Sequence, residues 1–143
     1  MYKLILQKSL ISLCLLLVIG IVDAQEKKQY KVNCIGFYNL ENLFDTIPGP
    51  NDTEFTPEGA NKFTSERYWH KQNNMADVIS QIGSEMFPGG PAILGVCEIE
   101  NRSVLEDLMA NPKLKASNYA IVHYDSPDRR GVDVGLIDRK SVV

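Results

Sequence analysis

The sequence predicts an α/β domain, a mixed sheet covered by helices on one face. Two observations predict it. Apolar strand-like runs alternate with two amphipathic helical stretches, giving the order strand, helix, strand, helix, strand, strand. The last two runs, separated by the polar turn DSPDRRG, read as a hairpin, which places an antiparallel pair beside the parallel pairing that a strand–helix–strand unit favours.

The first strand is expected over Tyr30–Tyr38, YKVNCIGFY, from its β-branched and aromatic residues. Its exit, NLENLFDT, places Asn39, Glu41, Asn42 and Asp45 on a short turn. Residues 46–57 hold three prolines and a glycine and read as a long loop, a candidate functional rim. From Ser65 to Gly83, Trp69, Met75, Val78, Ile79 and Ile82 recur at three- and four-residue spacing. This predicts a helix with Thr64 as N-cap, Gly83 near its end and Trp69 anchoring it to the sheet. FPGGP (87–91) breaks the chain before the next strand, Ala92–Cys97, and Asn101 caps a short helix through Leu108. Strands at Tyr119–Tyr124 and Val132–Ile137 complete the sheet.

With 44% hydrophobic and 23% charged residues the composition is that of a globular domain, and the net charge of −3 argues against charge-driven nucleic-acid binding. It does not exclude an enzyme whose metal ion neutralises a phosphate. Lys3 and Lys8, the apolar run Leu10–Val22, and Val22-Asp23-Ala24 before Gln25 form a signal-peptide pattern over residues 1–24, and so predict export. The alternative is an uncleaved anchor, for which the run is short of the roughly 20 residues a span needs. After cleavage no membrane span is expected. Cys34 and Cys97 lie in apolar runs as small buried hydrophobes, able to pair in an exported protein.

Functional candidates gather at strand ends, where a rigid backbone holds side chains and the adjoining loops admit a ligand. Asn39 follows the first strand and Glu98 the second, while Arg129 and Arg130 sit before Gly131 in the hairpin turn. An amide and a carboxylate in one cleft suit a hard cation, Mg²⁺ or Mn²⁺, and an arginine fork suits a phosphate. Each also has a plain structural reading: Glu98 as a surface acid, Asn39 as a turn former, DRRG as a solvated loop. His70 on the helix and His123 in a strand read as structural.

GFYNLENLFDT, PAILGVCEIEN and YDSPDRRGVDVGLI, in that order, resemble the first three motifs of the endonuclease/exonuclease/phosphatase superfamily, over about residues 30 to 137. This is the family of pancreatic-type deoxyribonucleases, abasic-site endonucleases, inositol-polyphosphate phosphatases and bacterial sphingomyelinases, and the secreted bacterial members are the most similar. The resemblance implies a four-layer α/β/β/α sandwich of the deoxyribonuclease I type, of which residues 25–137 would supply the N-terminal half. It implies catalytic roles for Asn39 and Glu98, with Glu98 ligating the metal and Asn39 organising metal and scissile phosphate. Arg130 becomes the phosphate contact. The substrate class implied is a phosphate ester: nucleic acid, phosphoinositide or phospholipid head group. No protein partner can be inferred.

The sequence also departs from the family pattern. No GD dipeptide occurs, so the aspartate that activates water in a GDFN-like motif has no counterpart, nor has the terminal Asp-His pair. The tail DRKSVV (138–143) matches the translation of a sequencing adapter in one reading frame, so it is expected to be non-native and the reading frame truncated; a genuine polar C-terminus is the alternative. The full-length protein is thus expected to be a metal-dependent hydrolase and this chain its inactive half. The alternatives are a non-catalytic anion- or partner-binding module and a fragment unable to fold alone.

Overall fold

A computed structural model describes residues 2–3, 30, 32–49 and 54–139. The chain divides into two units, Met1–Lys31 and Val32–Val143, and the fold described is that of the second. The signal-peptide segment 1–24 (apart from residues 2–3), part of the loop at 50–53, and residues 140–143 of the tail lie outside the described residues. Among those described, no helix is long and apolar enough to cross a membrane.

Among the described residues of this unit, four strands and three helices follow in the order β1 (Ile35–Leu43), α1 (Ser65–Gln81), β2 (Ile93–Ile99), α2 (Arg102–Ala110), α3 (Pro112–Lys115), β3 (Tyr119–Tyr124) and β4 (Asp133–Arg139). They form one mixed sheet in the order β1-β2-β4-β3. β1 and β2 run parallel, the crossover between them supplied by α1, and β4 lies antiparallel to both β2 and β3. The β3–β4 hairpin is as the sequence predicts. β4 continues two residues past the expected end: Arg139 N–H reaches Ala92 O at 2.8 Å, and its guanidinium lies 5.3 Å from the Phe87 ring centre.

The first strand departs most from expectation. It begins at Ile35 rather than Tyr30 and runs through the predicted turn to Leu43. The physical reason is burial: Leu40 and Leu43 are both fully enclosed beneath the helices, so the chain stays in the sheet until they are packed.

Helix α1 starts where Thr64 Oγ1 accepts the Arg67 N–H (3.4 Å), and the chain leaves it through Gly83 at φ +68°. Its buried stripe is Tyr68, Gln72, Ala76 and Ile79, spaced by four, four and three residues. Trp69 and Val78 face outward, contrary to the predicted anchor. Tyr68 replaces Trp69 because its hydroxyl finds partners: it donates to Asp107 Oδ2 (2.7 Å) and accepts from Gln72 Nε2 (2.8 Å). Gln72 also donates to Val104 O (3.0 Å), which binds α1 to α2 inside the core. Val104, Leu105 and Leu108 of α2 close this layer over Leu94, Val96, Ile99 and Ile137 of the sheet. Phe44, Phe55, Phe63 and Tyr68 form a continuous run of ring contacts, the first pair stacked at 4.5 Å, that fastens the loop after β1 onto α1.

The described residues therefore form two layers, one of helices and one sheet. The far face of the sheet carries Ile35, Phe37, Val122, Tyr124, Val134 and Leu136, all exposed, with Phe37 at 86%. The Phe37 ring lies over Gly95, close enough that a Cβ there would come within 2.5 Å of it. Cys97 shares this face and Cys34 adjoins Gly83; both thiols are free and half-buried, not the fully buried positions expected of them.

Candidate active site

The parallel ends of β1 and β2 are irregular at the same level. Asn39 pairs with Cys97 and Leu43 with Ile99, so three residues of β1 stand opposite Glu98 alone. On the other side, Cys97 pairs with Val134 and Ile99 with Asp133, leaving nothing on β4 opposite Glu98. Glu98 is thus extruded from both neighbours in a bulge. Three residues here have positive φ: Glu41 (51°), Asn42 (56°) and Glu98 (57°). For a glutamate this conformation costs on the order of 1–2 kcal/mol, and such strain gathers at functional sites.

Glu98 and Asn39 are therefore not beyond the strand ends, as the sequence suggests, but inside the strands at these bulges. Among the described residues no hydrogen bond or ion pair engages the Glu98 carboxylate. Glu100 differs sharply: its Oε2 accepts the Asp45 N–H at 2.7 Å. Asn101 caps α2 through Oδ1, which accepts from Val104 N–H (3.2 Å), and its amide donates to Asp45 Oδ2 (3.2 Å). Asp45, Glu100 and Asn101 thus make a knot that ties the exits of β1 and β2 together, and Asn101 is the cap that the sequence predicts.

Asn39 is exposed, and its Oδ1 accepts the Glu41 N–H at 2.7 Å. A backbone N–H can only donate, so the oxygen faces the bulge and the NH₂ end is the one presented elsewhere. The hairpin turn supplies the third expected residue. Arg130 folds onto its own turn, Nε and Nη2 meeting Asp128 at 3.1 and 2.9 Å. Asp128 raises the guanidinium pKa most, and Glu98 adds to the same direction, so the two ends of the site feel each other electrostatically. An exposed pair of this kind is weak and leaves Arg130 free to exchange partners.

The turn has a rigid base. His123 Nε2 lies 2.9 Å from Asp133 Oδ2, both side chains being almost wholly enclosed. Asp133 Oδ1 accepts the Ser126 N–H (2.7 Å), and Ser126 Oγ donates to Val132 O (2.7 Å) while accepting from Asp128 N–H (3.1 Å). His123, as expected, has a structural part. With Asp125 it also forms a His/Asp cluster able to hold a cation, the ligand atoms of His123, Asp125 and Asp133 lying within 4.8 Å of one another. In that cluster both Asp133 oxygens and His123 Nε2 are already bonded to each other or to Ser126. The unbonded Glu98 carboxylate is a second group able to take a hard cation, since Mg²⁺ takes one or two carboxylates and keeps its waters. A cleft of about 470 Å³ beside the knot is walled by Asp45, Glu100, Asp125, Asp128 and Asp133.

Sequence reasoning missed Asp133, whose partner His123 comes alongside only through the β3–β4 pairing, and Lys71. The helical pattern puts Lys71 on the polar face of α1, yet its ammonium donates to Glu41 O and to Asn42 O, the latter at 3.0 Å. Burial lowers its pKa from the ordinary lysine value, while the negative charges of Glu41 and Glu98 act the other way. No local signal in the sequence could have revealed that reach.

No curated protein and no solved structure matches the chain. The family model of the Endonuclease/Exonuclease/phosphatase family does, over residues 34–143, which takes in the four strands, α1 to α3 and both bulges. Members of this family are hydrolases that typically use a divalent metal, and the chain belongs to the endonuclease/exonuclease/phosphatase family.

Proposed function

We propose that the full-length protein is an exported, Mg²⁺- or Mn²⁺-dependent phosphoesterase, with Glu98 as the metal ligand. One observation carries this reading: among the described residues the Glu98 carboxylate takes no hydrogen bond or ion pair, although Glu100 and Asp45 beside it are both hydrogen-bonded. A divalent cation on Glu98 would supply positive charge to a phosphoryl oxygen and to the leaving oxyanion. Asn39, its oxygen held by the bulge, would turn its NH₂ toward the same phosphate, and Arg130 would leave Asp128 to form a planar fork with a second oxygen. Substrates in reach of this chemistry are nucleic acids, phosphoinositides and phospholipid head groups.

The water-activating aspartate and the Asp-His pair of the family have no counterpart in the sequence. The chain is therefore proposed to hold cation and phosphate with low or no turnover. Mn²⁺ titration by calorimetry tests the first half: binding by the native chain that Glu98→Gln abolishes supports it, and undiminished binding in the variant overturns it. Metal-dependent hydrolysis of bis-(p-nitrophenyl) phosphate by the chain alone would overturn the second half. Phosphate binding that ignores the metal would favour the non-catalytic anion-binding module.

A further inference from the structure

We propose that Lys71 is a positioning residue for the Glu98 site, its ammonium acting from helix α1 as a clamp on the β1 bulge opposite. The role of the clamped site rests on the phosphoesterase reading above; the clamp itself does not.

Glu41 and Asn42 are the only two described residues of β1 with positive φ, and they bracket the point where the ladder with β2 is interrupted. A carbonyl lifted from its ladder needs another donor. Asn42 O accepts from Phe44 N–H at 3.0 Å, and both carbonyls accept from Lys71. From the other side Asn39 Oδ1 takes the Glu41 N–H. The three-residue excursion is thus held at its amide by Asn39 and at its carbonyls by Lys71, and it forms the wall beside Glu98.

Lys71 feels the charges of both Glu41 and Glu98, yet among the described residues it makes an ion pair with neither. A lysine paired directly with Glu98 would compete with any cation for the carboxylate. Bound to backbone carbonyls instead, the ammonium orders the wall and leaves the carboxylate open. Its half-buried setting also makes the contact less screened than a surface pair. Arginine can bridge the same two carbonyls, whereas methionine keeps the stem and removes every donor.

The test uses the full chain with Lys71→Met and Lys71→Arg, read by amide hydrogen exchange and by Mn²⁺ affinity from water-proton relaxation. Lys71→Met should speed exchange at Glu41 and Phe44 by about tenfold relative to Leu94 and Ile137, and weaken Mn²⁺ about 10- to 100-fold, the usual effect of losing a group that orients a metal ligand. Lys71→Arg should restore both. Unchanged exchange at Glu41 and Phe44, or failure of arginine to restore it, overturns the clamp. Faster exchange with unaltered Mn²⁺ affinity overturns its positioning role. If native Mn²⁺ binding survives Glu98→Gln, the phosphoesterase reading fails instead, and the exchange measurement still decides whether Lys71 holds the bulge.

Discussion

Replacing Glu98 by glycine should stabilise the protein while destroying cation binding. Glu98 sits at φ 57°, where a Cβ meets its own backbone and glycine does not. The relief is on the order of 1–2 kcal/mol, and the freer unfolded chain that glycine brings takes back about 0.5–1 kcal/mol. A net gain of up to about 1.5 kcal/mol remains, centred on about 0.75 kcal/mol, or about 3–6 °C in melting temperature for a domain of this size. Glu98→Gln is the reference, since it removes the charge and keeps the strained backbone. Glu98→Asn should fall between the two, because asparagine tolerates the left-handed region. Thermal melts by circular dichroism without metal give the order, and Mn²⁺ titration of the same samples should show binding lost in the glutamine and glycine variants. If glycine melts at or below glutamine, the bulge is not strained and the reasoning from its geometry fails.

Three further outcomes follow from other parts of the molecule. Gly83→Ala should cost about 1–2 kcal/mol in urea unfolding, because φ is +68° there and the new Cβ would meet Cys34 Sγ at 2.7 Å. Asp133→Ala should cost about 2–4 kcal/mol, since it leaves His123 and the Ser126 N–H without their enclosed partner, and exchange at Ser126 should rise with it. Burial, then the hydrogen bond to Asp107, raises the Tyr68 pKa above its ordinary value of 10.0. Its contribution is therefore complete below pH 10 and is lost as pH climbs through the folded value. Tyr68→Phe should flatten that alkaline fall in a series of melts, and an unchanged slope would refute the assignment.

Much of this fold can be read from residue patterns because its signals are local. The caps at Thr64 and Asn101, the hairpin around DSPDRRG and the apolar run of β2 each depend on neighbours in sequence. β1 was harder to read for the reason that makes it useful: its bulge breaks the alternation of inward and outward residues, so NLENL looks like a turn although Leu40 and Leu43 are buried. The face of α1 misled for a different reason. Size favours Trp69, but the buried stripe is set by Gln72, whose partner Val104 O is contributed by a helix residue 32 positions further along. The motif singles out Glu98 in the sequence, whereas the Asp45 N–H that engages Glu100 comes from 55 residues away, a bond that no spacing announces.

The bulge on β2 has a last consequence. Core-facing residues step by two from Leu94 to Val96 and then by three to Ile99, while the β4 ladder counts the same stretch without a gap. Glu98 is a spare residue in that arithmetic: the sheet would close without it and Ile99 would still point inward. An acid carried in this way is aimed by the two strands beside it and not by contacts of its own side chain. An ion arriving there, as the proposed function requires, would find a carboxylate with no hydrogen bond to surrender first.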